Sequence, residues 1–407
     1  MHSSIGRVRF ILGDIIMKKK GSLLRHRFIW RLLRPLVALF LRIKFGYKFK
    51  YAKKLPENYI VLANHTTDFD PLFVGVSFRR QMYFVASEHI SRWKVAYKFL
   101  KYGFEPIIRY KGAIAASTVM DILRKVKRGG SVSIFAEGVR TWNGITSPIL
   151  PSTAQLVKAA KCALVTYKIE GGYFVSPAWS EKGTRRGHIK GAPVHVYSKE
   201  QLASMSDDEV YELIKRDLYE DAYATQLASP KKYKGKQPAY RLENLIHICP
   251  ECLSHGTLFS SKDTVECSSC GHKFVYNKYG MLEGTRCTTV KELEEWQRTE
   301  VAKDAENGAV YRSELGRVSA IGKGTEQLIA EGELTMSAES IKCGDFEMSL
   351  DSIPDIAIHG KHSLVFSGGD RYYEIRPVRD DNAMKFLLLF TQYKSIKRQE
   401  KESEVIS

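Results

Sequence analysis

Between about residues 56 and 227, short apolar runs of strand length alternate with stretches whose apolar positions recur at helical spacing. Strands are expected at 59–63, 82–86, 105–108, 132–135 and 163–169, with helices between them that include 113–127 and 153–161. Regular alternation of this kind predicts an α/β layer. Upstream, residues 26–45 (HRFIWRLLRPLVALFLRIKF) have a helical period. Arg27, Arg31, Arg34 and Arg42 fall on one face, and Ile29, Leu32, Leu36, Leu39, Phe40 and Ile43 on the other. Pro35 is expected to kink this helix or split it in two. Downstream, 229–241 (SPKKYKGKQPAYR) has the composition of a linker, and 290–307 that of a charged helix or linker. From about 325 the pattern changes to short alternating strands with turn signals, and one apolar helix at 381–393 closes the chain. No internal repeat or low-complexity tract interrupts this order.

Composition changes the picture mainly through charge. The 407 residues carry a net charge of +18, which points to an anionic partner such as a nucleic acid, a phosphorylated substrate or an acidic lipid surface. Residues 1–54 hold fifteen Lys or Arg against one acid, Asp14, so +14 of the +18 sits at the N-terminus. A basic amphipathic helix with this charge is expected to lie in the headgroup layer of a membrane, the alternative being a helix packed on the protein's own core with a solvated Arg face. No run approaches the roughly 20 apolar residues that span a bilayer. The longest, at 36–41, is bracketed by Arg34 and Arg42, and no small-residue cleavage site follows it, which argues against a signal peptide. Seven cysteines, four of them in two C-x-x-C pairs, suggest a reducing compartment. The expected location is cytoplasmic, peripheral on the inner face of a membrane.

The candidate chemistry gathers where predicted strands end. The first strand runs into Asn64-His65-Thr66-Thr67-Asp68-Phe69-Asp70. Imidazole as a side-chain type titrates near neutrality and suits a general base. Asp70, five residues on, is close enough for one turn to set its carboxylate against the ring, where it would fix the tautomer and stabilise imidazolium. No nucleophilic Ser or Cys is then needed, because an acceptor hydroxyl can lose its proton to His65 and attack a thioester directly. Two further strand ends carry cations, in Gly103-Phe104-Glu105-Pro106-Ile107-Ile108-Arg109-Tyr110-Lys111 and in Phe135-Ala136-Glu137-Gly138-Val139-Arg140-Thr141. Guanidinium groups there are suited to clamping a phosphate. Sites in open α/β sheets collect at such ends.

Over roughly residues 26–227 the chain resembles the glycerolipid acyltransferase family, of which the 1-acylglycerol-3-phosphate acyltransferases are the best-known members. The resemblance rests on the N-H-x-x-x-x-D block at Asn64 to Asp70, the block ending in Arg109, and the family's F-P-E-G-T-R-S block, written here Phe-Ala-Glu-Gly-Val-Arg-Thr. It implies that His65 is the base, Asp70 its orienting partner, and Arg109 and Arg140 ligands of the acceptor phosphate, with Lys111 beside them. It also implies that Glu137 and Gly138 shape the acceptor pocket. The implied reaction moves a fatty acyl chain from acyl-CoA or acyl carrier protein to a hydroxyl of a lysophosphatidate-like lipid. Ala136 and Val139 stand where the family has Pro and Thr, and Thr166 and Lys168 depart from its apolar fourth block, which puts the acceptor's identity in question.

Cys249-Pro-Glu-Cys252 and Cys267-Ser-Ser-Cys270, separated by 14 residues, read as a zinc ribbon in which four thiolates hold a structural Zn²⁺. His247, His255 and His272 nearby read as surface residues. The last 85 or so residues resemble a pleckstrin-homology-like or GRAM-like module, which would take a lipid or protein partner. The expected divisions are a basic membrane-associating segment 1–54, the acyltransferase layer 55–228, a linker 229–244, the ribbon 245–285, a charged helix or linker 286–310, and the module 311–400. Two rival functions are a non-catalytic lipid-surface adaptor and a nucleic-acid-binding ribbon protein. Intact His65 and Asp70 argue against the first. The mixed charge around the knuckles (Glu251, Asp263 and Glu266 beside Lys262 and Lys273) argues against the second, so no nucleic acid partner is expected.

Overall fold

The computed structural model describes residues 2–87, 90, 94–109, 115–182, 184–322, 325–369, 371–377 and 381–406. A mixed seven-stranded sheet forms the first layer, with β1 Lys48–Phe49, β2 Tyr59–Ala63, β3 Met82–Ser87, β4 Ile107–Arg109, β5 Ser131–Phe135, β6 Ala163–Glu170 and β7 Lys190–Tyr197. Their spatial order is β1-β7-β6-β2-β5-β3-β4. All neighbours are parallel except the β6–β7 pair. β2 is central, and every one of its residues is buried because helices cover both faces. Successive side chains point to opposite faces. Tyr59, Val61 and Ala63 therefore pack with Trp30, Leu41, Phe45 and Phe73, while Ile60 and Leu62 pack with Ile122, Val126, Val157 and Ile214.

The helix His2–Phe45 passes through Pro35 without being split. Pro35 is on the exposed side, where the carbonyl deprived of its helical partner can meet water. The helix has two apolar faces. His26, Trp30, Leu41 and Phe45 are buried against the sheet layer, and Trp30 Nε1 donates to the Phe78 carbonyl at 3.1 Å. Leu24, Phe28, Leu32, Leu36, Leu39, Phe40 and Ile43 are exposed. The arginines do not form one solvated face opposite the apolar stripe. Arg25 lies 4.1 Å over the Tyr102 ring, Arg27 donates to the Gly129 carbonyl at 3.3 Å, and Arg34 to that of Val76 at 3.3 Å. They pin the helix to the domain, and Arg31 and Arg42 remain exposed.

Residues 229–241, a linker by composition, form a packed strap. Tyr233 and Ala239 are buried, Lys234 bridges Arg186, and the buried Arg185 donates to the Pro238 carbonyl. A four-stranded antiparallel unit follows, in which β8 Leu258–Ser261, β9 Thr264–Cys267, β10 Lys273–Tyr276 and β11 Leu282–Glu283 lie in the order β11-β10-β9-β8. The helix Val290–Glu306 leads to a seven-stranded antiparallel sheet. Its strands are β12 Tyr311–Ile321, β13 Glu326–Met336, β14 Ser340–Cys343, β15 Phe346–Ser349, β16 Ile356–His359, β17 Ser363–Gly368 and β18 Arg371–Pro377. They lie in the order β15-β14-β13-β12-β18-β17-β16, closed by the helix Ala383–Ile406. One apolar core runs from Trp30 and Phe73 through Trp179 and Phe274 to Phe386 and Leu389, so the three units form a single packed body.

Candidate active site

The site is built by strand register. β2 and β5 are parallel neighbours with Ala63 opposite Phe135. Two residues past each strand end, His65 and Glu137 are therefore side by side. The backbone N–H of His65 donates to Glu137 Oε1 at 2.5 Å, the Ser147 N–H donates to Glu137 Oε2 at 2.6 Å, and the Thr141 N–H donates to the His65 carbonyl at 3.0 Å. The imidazole stacks on Phe135 with centroids 4.4 Å apart and planes 20° from parallel. Asn64 ties the same turn to the next strand. Its amide nitrogen donates to the Ile169 carbonyl at 2.9 Å and its oxygen accepts from the Ile169 N–H at 2.8 Å.

His65 Nδ1 is 2.9 Å from Asp70 Oδ2. Asp70 is fully buried, whereas the His65 side chain is 21% exposed. A carboxylate removed from water must find donors inside the protein. Asp70 Oδ2 accepts the backbone N–H groups of Thr66 at 2.5 Å and Thr67 at 3.0 Å, while Oδ1 accepts their hydroxyls at 3.1 and 2.8 Å. In the tautomer that carries its proton on Nδ1, the ring donates to this carboxylate, and Nε2 is the nitrogen turned away from it. Thr66 and Thr67 support the carboxylate and are passed over by motif reading. Their signal is two hydroxyls placed three and four residues before the acid.

Arg109 ends β4, and its Nη1 lies 3.5 Å from where a Cβ on Gly138 would stand, so it reaches the loop after β5. In that loop Arg140 pairs with Asp68 Oδ2 at 3.2 Å. Gly138 has φ +71°, a conformation that disfavours a side chain there. The structure thus brings His65, Asp70, Arg109, Glu137, Gly138 and Arg140 together, while Lys111 lies outside the described residues. Glu137 is buried with both oxygens on backbone donors, so it braces the His65 turn. Thr166, at the departure in the fourth block, is buried with its hydroxyl donating to Asp217 Oδ2 at 2.8 Å.

Residues 47–170 match a family model described as Acyltransferase. This segment is an acyltransferase domain. A crystal structure of the 1-acyl-sn-glycerophosphate (LPA) acyltransferase PlsC from Thermotoga maritima aligns with 51% of this chain and 88% of its own, at 16% identity and a TM-score of 0.39. The solution structure of the N-terminal PH domain of human ARAP2 aligns with 21% of this chain and 80% of its own, at 12% identity and a TM-score of 0.18. The C-terminal domain of an unknown protein from Leishmania infantum aligns with 24% of this chain and 96% of its own, at 11% identity and a TM-score of 0.15. These three are partial likenesses. No curated protein sequence matches the chain.

Away from the acyltransferase site, Cys249, Cys252, Cys267 and Cys270 bring their sulfurs within 4.8 Å of one another and can hold a metal ion. Cys249 Sγ is 3.8 Å from Cys270 Sγ, and Cys252 Sγ is 3.8 Å from Cys267 Sγ. A tetrahedron with metal–sulfur arms of about 2.3 Å has edges of about 3.8 Å, so the donor set fits a four-thiolate ion. His247 is not a surface residue. It is buried, with its ring 5.5 Å from His255 and 5.8 Å from Tyr311 of β12, because the C-terminal sheet docks over it. Burial pushes its pKa well down.

Burial raises the Glu137 carboxyl pKa to about 8, against the pull of the His65 and Ser147 donors. Glu137→Gln keeps the volume but turns an NH₂ toward one of those N–H groups. The expected cost is about 1–3 kcal/mol in a denaturant titration, with turnover reduced as the His65 turn shifts. In the wild type the folded state keeps a proton that the unfolded chain releases near pH 4.5, so raising the pH favours unfolding. This carboxyl's contribution is full below about pH 4.5 and is lost as the pH rises toward about 8. That slope should be missing from the Gln variant. Equal slopes in the two proteins would refute the assignment.

Proposed function

We propose that this protein transfers a fatty acyl chain from acyl-CoA or acyl carrier protein to a hydroxyl of a lysophosphatidate-like acceptor at a membrane surface. The supporting observation is the His65 Nδ1–Asp70 contact of 2.9 Å, at strand ends shared with Arg109 and Arg140 inside the acyltransferase segment. In this reading Nε2 takes the acceptor hydroxyl's proton while its oxygen attacks the thioester carbonyl. The tetrahedral intermediate collapses, the carbon–sulfur bond breaks, and the imidazolium returns the proton to the departing thiolate. Asp70 stabilises the imidazolium and holds the tautomer. Glu137 acts through the main chain of His65 as a positioning residue, and Arg109 and Arg140 hold the acceptor phosphate.

The test is to incubate the purified protein with labelled acyl-CoA and a panel of lysolipids and to identify the products. His65→Ala is expected to lower turnover about 10²–10⁴-fold. Arg140→Ala is expected to act mainly on the apparent affinity for a phosphate-bearing acceptor, by about 1.5–3 kcal/mol. Near-normal turnover by His65→Ala would exclude this mechanism.

Among the described residues no helix is long and apolar enough to cross a membrane. The outward stripe of the helix His2–Phe45 supports a peripheral attachment, with Leu32, Leu36, Leu39, Phe40 and Ile43 entering the acyl boundary and exposed Arg31 and Arg42 meeting anionic headgroups. The inward face belongs to the core, so deleting the helix would destroy the domain. The informative change is Leu36→Ser/Leu39→Ser/Ile43→Ser. Burying one such side chain is worth about 1.5–3 kcal/mol, so partitioning into anionic liposomes should fall by more than about tenfold. High salt should weaken wild-type binding without abolishing it. Undiminished liposome binding by the triple variant would move the membrane contact elsewhere.

We read the four-thiolate site as structural zinc, one ion per chain, with no part in the chemistry. The fitted sulfur spacing and the closed ligand set support this. Metal analysis of the purified protein should return one zinc, and chelation should unfold the β8–β11 unit. Protein that is free of metal and equally stable would contradict it.

A further inference from the structure

Three segments far apart in sequence are joined where the helix His2–Phe45 ends. The Gly187 N–H donates to the Phe45 carbonyl at 3.2 Å, and the Lys48 N–H donates to the Ile189 carbonyl at 2.9 Å. Arg186 and Lys234 exchange backbone hydrogen bonds of 2.9 and 2.7 Å, which adds the strap 229–241. Two glycines permit this closeness. A Cβ on Gly46, where φ is +74°, would collide with the Gly187 carbonyl, and one on Gly187 would collide with the Tyr233 ring. Tyr233 enters the core, while its neighbours Lys232 and Lys234 stay exposed.

This junction leaves a groove of about 1000 Å³ beside the helix. Five cations line it, namely Arg42, Lys48, Arg186, Lys232 and Lys234, and no Asp or Glu does. All five are exposed, and among the described residues none of them forms an ion pair. Positive charges gathered without a counter-charge raise the local potential and favour an anionic occupant. The remaining lining includes Ala38, Leu39 and Phe49. Leu39 also belongs to the exposed apolar stripe of the helix, so groove and stripe form one continuous surface. A free phosphate, or an acidic protein surface, would meet the cations and leave this apolar lining uncovered. A phospholipid matches both, with its phosphate for the cations and its chains for the apolar side.

We propose that this groove binds one anionic phospholipid of the bilayer, with the phosphate among Lys48, Arg186, Lys232 and Lys234 and the acyl chains over Leu39 and Phe49. The inference rests on the peripheral-attachment reading above and deepens it, by adding a site for a single lipid to a general attraction between charges. Arg186, Lys232 and Lys234 lie beyond the 47–170 segment that matches the acyltransferase model, so the preference for an anionic bilayer is supplied largely from outside that segment. The groove shares no residue with the His65, Arg109 and Arg140 site and takes no part in acyl transfer.

The test titrates dioctanoyl phosphatidylglycerol, below its micelle concentration, and its phosphatidylcholine counterpart into the full chain by calorimetry. Sedimentation with phosphatidylcholine vesicles, with and without phosphatidylglycerol, runs alongside. The proteins are the wild type, Lys232→Ala/Lys234→Ala, Lys232→Arg/Lys234→Arg, and Lys127→Ala/Lys401→Ala, which removes the same charge from exposed positions outside the groove. The wild type is expected to bind one phosphatidylglycerol per chain and no phosphatidylcholine. The groove Ala pair should lose about tenfold or more in affinity for phosphatidylglycerol, because two basic contacts are removed. It should also sediment less with the anionic vesicles. The Arg pair and the distant Ala pair should bind as the wild type does. Equal affinity in the wild type and the groove Ala pair overturns the inference and leaves peripheral attachment standing. So does an equal loss in the distant pair, or a wild type that sediments with anionic vesicles yet binds no monomeric lipid. If the groove Ala pair loses affinity for acyl carrier protein and not for the lipid, the groove is a protein-docking site and the inference is overturned. A wild type that binds neither the lipid nor the vesicles overturns both readings.

Discussion

The Asp70 carboxylate sits at 0% exposure beneath His65, and the rest of the site is arranged around keeping it there. Withdrawing such a charge from water is costly unless donors surround it. Here two consecutive threonines supply backbone N–H and hydroxyl groups to both oxygens, and the imidazole supplies the fifth donor. A turn closed in this way cannot shift without orphaning the charge, so the imidazole is held in one tautomer and one direction. The helix Asp70–Val76 starts at the same residue. Phe73 within it, and Phe69 just before it, pack against Phe45 at centroid distances of 5.4 and 4.8 Å. The candidate base and the anchorage of the N-terminal helix thus share one turn.

That coupling has a functional side. The helix His2–Phe45 uses one apolar face to complete the core and leaves the other uncovered. Because its inner face meets the turn that holds Asp70, a surface bound by the outer face is held in a fixed relation to His65. A lipid acceptor in that surface would not need to travel through bulk water to reach the base.

The other wall is made by distant sequence. The segment following β6 lies against Thr66 at Gly172, and farther along it meets the strap 229–241 at Arg186–Lys234 and the hairpin carrying Lys361 at Ser180. Asn382 Nδ2 donates to the Glu243 carbonyl at 2.5 Å, Lys291 Nζ lies 2.8 Å from Asp221 Oδ2, and Asn143 Nδ2 donates to Glu294 Oε2 at 3.2 Å. These contacts add to a shared apolar core, so the C-terminal sheet is fixed to the acyltransferase domain and is not tethered loosely beside it.

Local pattern by itself determined much of this protein. Five of the seven strands of the first layer, β2 to β6, lie at or within two residues of where the apolar runs put them, because a strand buried on both faces writes its own length into the chain, whereas β1 and the partly exposed β7 were not expected. The His65–Asp70 pair was equally legible, since five residues of one turn decide whether the two can touch. Tertiary structure decided what depends on residues far apart in sequence. Glu137 became a brace because β5 lies in register with β2, a pairing between segments 72 residues apart. His247 became buried because β12 packs over it, and residues 229–241 became a strap because Tyr233 and Ala239 found a core to enter. Lys361 meets the Ser180 carbonyl through the docking of one domain on another. Periodicity records which side of its own element a residue faces. What waits on that side is set by non-local packing, and only the folded chain supplies it.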